Sequence, residues 1–342
     1  MTAAFPASGT ILVTGITGFV GSHVAEGFLA KGYRIRGTLR SAAKAKSLEI
    51  RWNAAGYAGK FEFVSADLSA ENAFLEAAHG VDAIAHVASP VTFTAADPYR
   101  DVINPAVQGT LSVLRAAKAT PSVKRVVITS SVVSMFQQKS GHTYTEADWN
   151  DWASDVVKAS GTEASGFVTY LASKAEAERA AWKFVEDEKP AFTVSTICPV
   201  YIWGPPINSP SSANGAGLTV QMLYDWITGV TTQLDSSPSF NAYVDVRDVA
   251  KAHVEAIIRP NANGRYLLSA GTASWTEIAE VIHELYPERP IPKPAAEPDA
   301  PVKDVIYGSR AVKELGIEYK PLTTTMKYML DEMIRSVEGA SH

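Results

Sequence analysis

The sequence predicts an α/β fold, a doubly wound parallel sheet followed by a smaller mixed C-terminal domain, and three observations carry that expectation. Short β-branched runs alternate with alanine-rich segments of helical period. The runs are almost continuously apolar, as in strands covered on both faces. A cluster of glycines follows the first run and opens the first helix.

In chain order the expected strands are "TILVTG", "RIRGTLR", "FEFVSAD", "DAIAHVAS", "KRVVITSS" and "FTVSTICPV". This alternation suits an open sheet or a closed barrel, and the glycine-rich first turn selects the open sheet. Beyond about residue 196 the alternation stops. "PVYIWGPPINSPSSANGAG" reads as a long functional loop. It is followed by "FNAYVDVRDVAKAHVEAII", by "GRYLLSAG", by a helix near 274–286, by the linker "PERPIPKPAAEPDAP" and by a final helix near 323–337. We therefore expect a dinucleotide-binding domain over 1–195, with a returning segment near 241–262, and a smaller substrate-binding domain over 196–342.

Composition narrows the function. The 342 residues include 31 basic and 36 acidic side chains, a net charge of -5, which argues against a nucleic-acid or membrane partner. No run of 18 apolar residues is present, and "MTAAFPASGTILVTG" lacks a basic segment followed by an apolar stretch, so a cytoplasmic protein is expected. Cys198 is the single cysteine and reads as a small core residue, and the seven histidines have no metal-ligand spacing, so no metal is expected.

The stretch "TILVTGITGFVGSHVAEGFLAKGY" sets Gly15, Gly18 and Gly21 between a strand and a helix, with Thr17, Phe19 and Val20 among them. The first glycine permits a tight turn. The others let backbone and helix approach a pyrophosphate held on amide N–H groups at the positive helix end, the arrangement of a dinucleotide-binding (Rossmann) unit. At the end of the second strand an acid would select NAD through the ribose hydroxyl. Residues 34–48 instead hold Arg34, Arg36, Arg40, Lys44 and Lys46 and no acid, which points to NADP(H), with Arg40 first and Lys44 second as partners of the 2′-phosphate.

The remaining strand ends supply further cofactor contacts. Asp67 can accept from the adenine amino group or cap the segment "SAENAF", and Leu68 lies beside it. Ala88, Ser89 and Pro90 end the fourth strand, where ligands sit in open sheets, and His86 within it reads as a packed strand residue. Thr129 ends the fifth strand, just before Ser130 and Ser131. Asp245 and Asp248 in "YVDVRDVA" read as structural.

Tyr170 and Lys174 lie four apart in "SGFVTYLASK", on one helix face. An ammonium nearby favours the phenolate and lowers a phenol pKa from about 10, making Tyr170 a better general acid. Ser131, or Ser130 as the alternative, can hold the same carbonyl oxygen. Lys174 also has protons for the nicotinamide ribose.

With the glycine loop, "TSS", "YLASK", "CPVYIWGP" and "YVDVRDVAKAHV", nearly the whole chain resembles the extended short-chain dehydrogenases/reductases. It looks most like the dihydroflavonol and cinnamoyl-CoA reductase branch, and within it like the fungal NADPH-dependent carbonyl (aldehyde or methylglyoxal) reductases. The resemblance implies a catalytic set of Ser131, Tyr170 and Lys174, with the backbone at Pro199 and Val200 near the nicotinamide carboxamide. The substrate cleft is expected to be apolar, lined by Val91, Phe93, Met135, Tyr201 and Trp226, and to suit a small-molecule ketone or aldehyde with a hydrophobic substituent. Two other readings keep the fold: sugar-nucleotide epimerisation or dehydration, and a non-catalytic NADP(H)-sensing regulator.

Overall fold

The structure is a computed structural model describing residues 5–68, 70, 72–89, 92–137, 141–208, 217–234, 242–293 and 305–339. The elements run β1 (Thr10–Thr14), α1 (Phe19–Ala30), β2 (Arg34–Leu39), α2 (Lys46–Ala54), β3 (Phe61–Ser65), α3 (Leu75–Ala78), β4 (Ala83–His86), α4 (Asn104–Ala119) and β5 (Arg125–Thr129). Then come β6 (Thr143–Tyr144), α5 (Asp151–Ser160), α6 (Gly166–Glu188), β7 (Thr193–Pro199), β8 (Tyr201–Trp203), α7 (Leu218–Ile227), β9 (Ala242–Asp245) and α8 (Val246–Ile258). The chain finishes with β10 (Gly264–Leu268), β11 (Gly271–Thr272), α9 (Trp275–Leu285), β12 (Val305–Ile306), α10 (Ser309–Leu315) and α11 (Leu322–Met333).

Seven strands form one parallel sheet in the order β10-β7-β5-β4-β1-β2-β3. All six expected strands are in it. The seventh, β10, is "GRYLL", which lies beyond the expected returning segment and pairs Gly264 to Leu268 with Ser195 to Pro199 of β7. Successive residues of β1 feed opposite layers: Ile11 and Val13 pack with Val24 and Phe28 of α1 and Val249 and Val254 of α8, while Leu12 packs with Val113 and Leu114 of α4. A strand wetted on neither face has no polar side to alternate with, hence its uninterrupted apolar run.

The strand order reverses between β4 and β1, so the loops leaving those two strands splay apart and leave a crevice at the carboxyl edge of the sheet. Above this edge sits a three-stranded sheet, β11-β9-β8. Its core is aromatic: Trp203 stacks on Tyr201 and Tyr243, and Trp275 meets Trp226 edge-on at 5.7 Å. The segment expected to be one long loop therefore begins as β7 and β8, because its aromatic residues cover this second core.

Asp245 and Asp248 join the two layers. Asp245 caps α8, accepting from the Arg247 N–H at 2.8 Å, and also accepts from Thr325 Oγ1 on α11 at 3.0 Å. Fully buried Asp248 takes the Lys320 N–H at 2.8 Å and Nζ at 2.6 Å. Among the described residues no helix is long and apolar enough to cross a membrane.

Candidate active site

The glycine loop has the shape of an anion cradle. Gly15 sits at φ +66°, where L side chains are strained, and a Cβ there would lie 3.0 Å from the Ala88 Cα. A Cβ on Gly21 would come within 2.2 Å of the Gly15 carbonyl oxygen, so only glycine lets α1 start this close to the turn. Helix α1 begins at Phe19 behind Gly18, which offers no side-chain cap, and its first turn has no acid. Its leading N–H groups face the loop at the positive end of the helix, which suits a pyrophosphate. The side chains of Phe19 and Val20 are used elsewhere, packing on the second core and on the sheet core respectively. Thr17 is half-buried in the turn.

Thr14 fixes the crevice between β1 and β4. Its Oγ1 accepts from the Val87 and Ala88 N–H groups, each at 3.0 Å, so its own proton goes to His86 Nδ1 at 2.8 Å. Burial and the nearby Lys174 charge push the His86 pKa down to about 3. His86 is thus a neutral strand residue. Ala88 and Ser89 line the crevice half-buried, whereas Pro90 and Val91 lie outside the described residues.

After β2, Arg40 and Lys44 are exposed, and among the described residues neither has an acidic partner. Arg36 is spent on structure, donating to Glu62 at 2.6 Å and to the carbonyls of Ala77 and His79. Asp67 is exposed at the same rim. Helix α3 starts only at Leu75, with Phe74 in the cap position, so Asp67 is not the cap of that helix, and the Ala70 N–H bonds the Asp67 carbonyl at 3.0 Å. Leu68 is half-buried against Gly109 of α4, where a Cβ would approach to 2.9 Å.

Helix α6 carries the reactive groups. Ser165 caps it, accepting from the Val168 N–H at 3.3 Å. Tyr170, Lys174 and Glu178 follow at successive i+4 steps along one face. Tyr170 is half-buried, with the Phe93 ring 5.3 Å away, and the Ser131 hydroxyl lies near enough to its phenol oxygen to favour the charged form. Beside it, residues Thr92, Phe93, Thr94, Pro98, Gly166 and Thr169 line a groove of about 450 Å³. A Cβ on Gly166 would lie 1.8 Å from the Phe93 carbonyl oxygen, so this glycine lets the 92–94 segment close onto the helix start.

Two expectations about this helix change. Lys174 does not depress the phenol: burial raises the Tyr170 pKa, with the nearby Ser131 hydroxyl working against that rise. The ammonium points instead at Ser89 Oγ, 2.9 Å away, and burial lowers its own pKa to about 8, with Glu178 opposing. The two adjacent serines are also separated. Ser131 is half-buried at Tyr170, while Ser130 is turned inward and donates to Glu178 Oε2 at 2.6 Å.

Glu178 was not singled out from the sequence, although its position four residues after Lys174 was a signal. It accepts from Ser130, from Ser134 at 2.5 Å, from Thr196 at 2.7 Å and from Arg265 Nε at 2.8 Å. Arg265 in turn lies over the Trp149 ring at 3.8 Å and donates to the carbonyls of Glu146 and Asp148. Burial would raise the Glu178 pKa, but Arg265 and the hydroxyls together hold it below the usual carboxylate value. Cys198 lies against this pair and is fully buried, its thiol pushed up by burial.

Two residues expected in the substrate cleft differ. Met135 is fully buried in the sheet core, and Trp226, 4% exposed, packs on Trp275, so neither reaches the cleft. The periodicity of an apolar residue does not say which side of a wall it faces. Val200 gives its N–H to the Leu268 carbonyl at 3.1 Å because β7 continues to pair with β10, so that amide is taken; Pro199 before it is buried in the strand. The Thr129 hydroxyl bonds His253 Nε2 on α8 at 2.7 Å, and the residue lines a small cavity together with Leu68, Ala88, Ser89 and Lys174. Tyr201 does stand at the cleft, half-buried and close enough to bear on the Tyr170 phenol.

Comparison with known proteins fits this geometry. Residues 11–268 match the NAD dependent epimerase/dehydratase family. Aldehyde reductase 2 of Sporidiobolus salmonicolor is 38% identical, over 85% of this chain and 85% of that protein. Cinnamoyl-CoA reductase 1 of Arabidopsis thaliana is 32% identical, over 99% of this chain and 92% of the relative. Among solved structures, yeast methylglyoxal/isovaleraldehyde reductase Gre2 complexed with NADPH superposes with a TM-score of 0.83 at 26% identity, covering 97% of this chain and 99% of that one. The chain belongs to the NAD dependent epimerase/dehydratase family, as one of the extended short-chain dehydrogenases/reductases.

Proposed function

We propose that this protein is an NADPH-dependent carbonyl reductase that converts small aldehydes and ketones to alcohols. The observation that carries the reading is the Ser131 hydroxyl beside the Tyr170 phenol, with Lys174 one turn further along α6 and the glycine cradle on the same sheet edge. Bound NADPH supplies the hydride to the carbonyl carbon. Tyr170, a phenol protonated at neutral pH, gives its proton to the carbonyl oxygen. Ser131 donates to the same oxygen as negative charge builds there. Lys174 holds a positive charge beside Ser89 on the cofactor side of the helix.

Arg40 and Lys44, exposed at the end of β2 with no acid between them, suit a 2′-phosphate and disfavour a bare ribose. Phe93 and Tyr201 flank Tyr170 and favour a carbonyl with an aromatic or branched alkyl substituent. A cytoplasmic location goes with this reading, since the single thiol is unpaired and buried.

The test is a spectrophotometric assay of NADPH and NADH oxidation with a panel of aryl and alkyl aldehydes and ketones. Tyr170→Phe should lose about 10²- to 10⁴-fold in kcat, the usual range for a general acid. Undiminished turnover by that variant, or a preference for NADH, would end the proposal.

A further inference from the structure

The loop after β8 reaches back over the turns that follow β1 and β2 and is tied down there. Pro205 offers its carbonyl to His23 Nε2 of α1 at 2.7 Å. Three residues on, Asn208 bridges the turns after β1 and β2 with one side chain. Its Nδ2 donates to the carbonyl of Thr17, inside the glycine loop, at 2.7 Å, and more weakly to the carbonyl of Lys44 at 3.4 Å. Its Oδ1 accepts from the Ser47 hydroxyl at the start of α2. A primary amide is the side-chain type that can donate on one side and accept on the other at once.

The two anchored segments differ in how else they are held. The glycine loop is braced independently by the Gly18 N–H to Gly15 carbonyl bond and by the Thr14 staple to Val87 and Ala88. The 40–47 segment is mostly exposed, with Ala45 as its buried anchor and a Lys44 N–H to Ser41 carbonyl bond of 3.2 Å. Without Asn208, the basic turn loses its side-chain link to Thr17, while Thr38 still ties the end of β2 to Gly15 and Ile16.

We infer that Asn208 is a positioning residue for the 2′-phosphate subsite, setting the spacing between the glycine loop and the Arg40–Lys44 turn so that a dinucleotide with both groups meets both at once. The inference rests on the proposed reading that Arg40 and Lys44 take a 2′-phosphate. Two subsites fixed at the right separation lose less freedom on binding than two that must be brought together, and the gain goes to the ligand that uses both. NADP(H) uses both; NAD(H) uses one.

Calorimetric titration of NADP⁺ and NAD⁺ into the wild type, Asn208→Ala, Ser47→Ala and Arg40→Ala tests this without relying on turnover. Asn208→Ala should weaken NADP⁺ by about tenfold, equivalent to ~1.4 kcal/mol, and leave NAD⁺ within about twofold. Ser47→Ala, which removes one leg of the clasp, should shift the same ratio by a smaller factor, and it decides the matter if Asn208→Ala does not fold. Amide hydrogen exchange across 40–47 should speed up in Asn208→Ala without ligand. Equal weakening of both nucleotides, or no change in either, overturns the inference. If Arg40→Ala abolishes the NADP⁺ preference and Asn208→Ala keeps it, the clasp alone is wrong. If Arg40→Ala leaves the preference intact, the reading of the subsite falls and the clasp with it.

Discussion

Two polar groups sit one helical turn either side of Lys174 on α6, and their surroundings are opposite. Tyr170 is half-buried beside a groove lined by Phe93 and Thr169, with the Ser131 hydroxyl near its phenol. Glu178 is 2% exposed and takes hydrogen bonds from Ser130, Ser134, Thr196 and Arg265. The first must be reachable by a substrate and so cannot be packed tightly. The second is sealed, and through rigid α6 it locks the helix against β5, β7 and β10. The open end has a defined position because the closed end does.

The comparison breaks most severely if the sealed end is opened. Glu178→Ala leaves the Arg265 guanidinium buried without its carboxylate, a defect that costs about 3–5 kcal/mol. For a chain of this size the melting temperature should fall by roughly 5 °C. An unchanged melting curve would show that the network does not hold the helix.

Next in size is a pair of substitutions one residue apart. Ser131→Ala should lower kcat by about 10²-fold, as loss of a donor to a developing oxyanion does, with the melting temperature unchanged. Ser130→Ala should do the reverse, costing about 1–3 kcal/mol of stability with kcat within a few-fold of wild type. Swapped results would exchange the roles of the two hydroxyls.

The smallest effect is on pH dependence. Burial brings Lys174 down to about 8 in the folded protein, and Glu178 holds it from falling further. The ammonium is therefore present below about pH 8 and lost above it. Accordingly, kcat/KM for NADPH should be flat on the acid side of that value and decline on the alkaline side. In Glu178→Gln, which keeps an acceptor but not the charge, the alkaline limb should move to lower pH. A limb in the same place in both proteins would mean that the two ends of the helix do not communicate electrostatically.

Much of the fold was legible because its signals are local. Six apolar runs became six strands of the sheet, and the glycine spacing placed the turn between β1 and α1 correctly. The pair Tyr170 and Lys174 shares a face because helix periodicity alone requires it. Signals that depend on a distant partner were not legible. β10 joins the main sheet because Leu268 pairs with Pro199, sixty-nine positions earlier. Met135 and Trp226 have the chemistry of a cleft wall but face the cores behind it. Asn208 lies in a segment whose proline, glycine and serine content says only that it is a loop.

By itself the sequence determined which kinds of group are available at the sheet edge: a glycine turn, two cations without an acid, and a phenol and an amine one helical turn apart. These follow from residue type and short-range geometry, which the chain carries wherever it goes. The tertiary structure alone decided which of two identical serines meets the phenol, where the lysine points, and how far the phenol and amine move from their ordinary pKa values. Those outcomes depend on burial and on contacts between residues far apart in the chain. No local pattern encodes them.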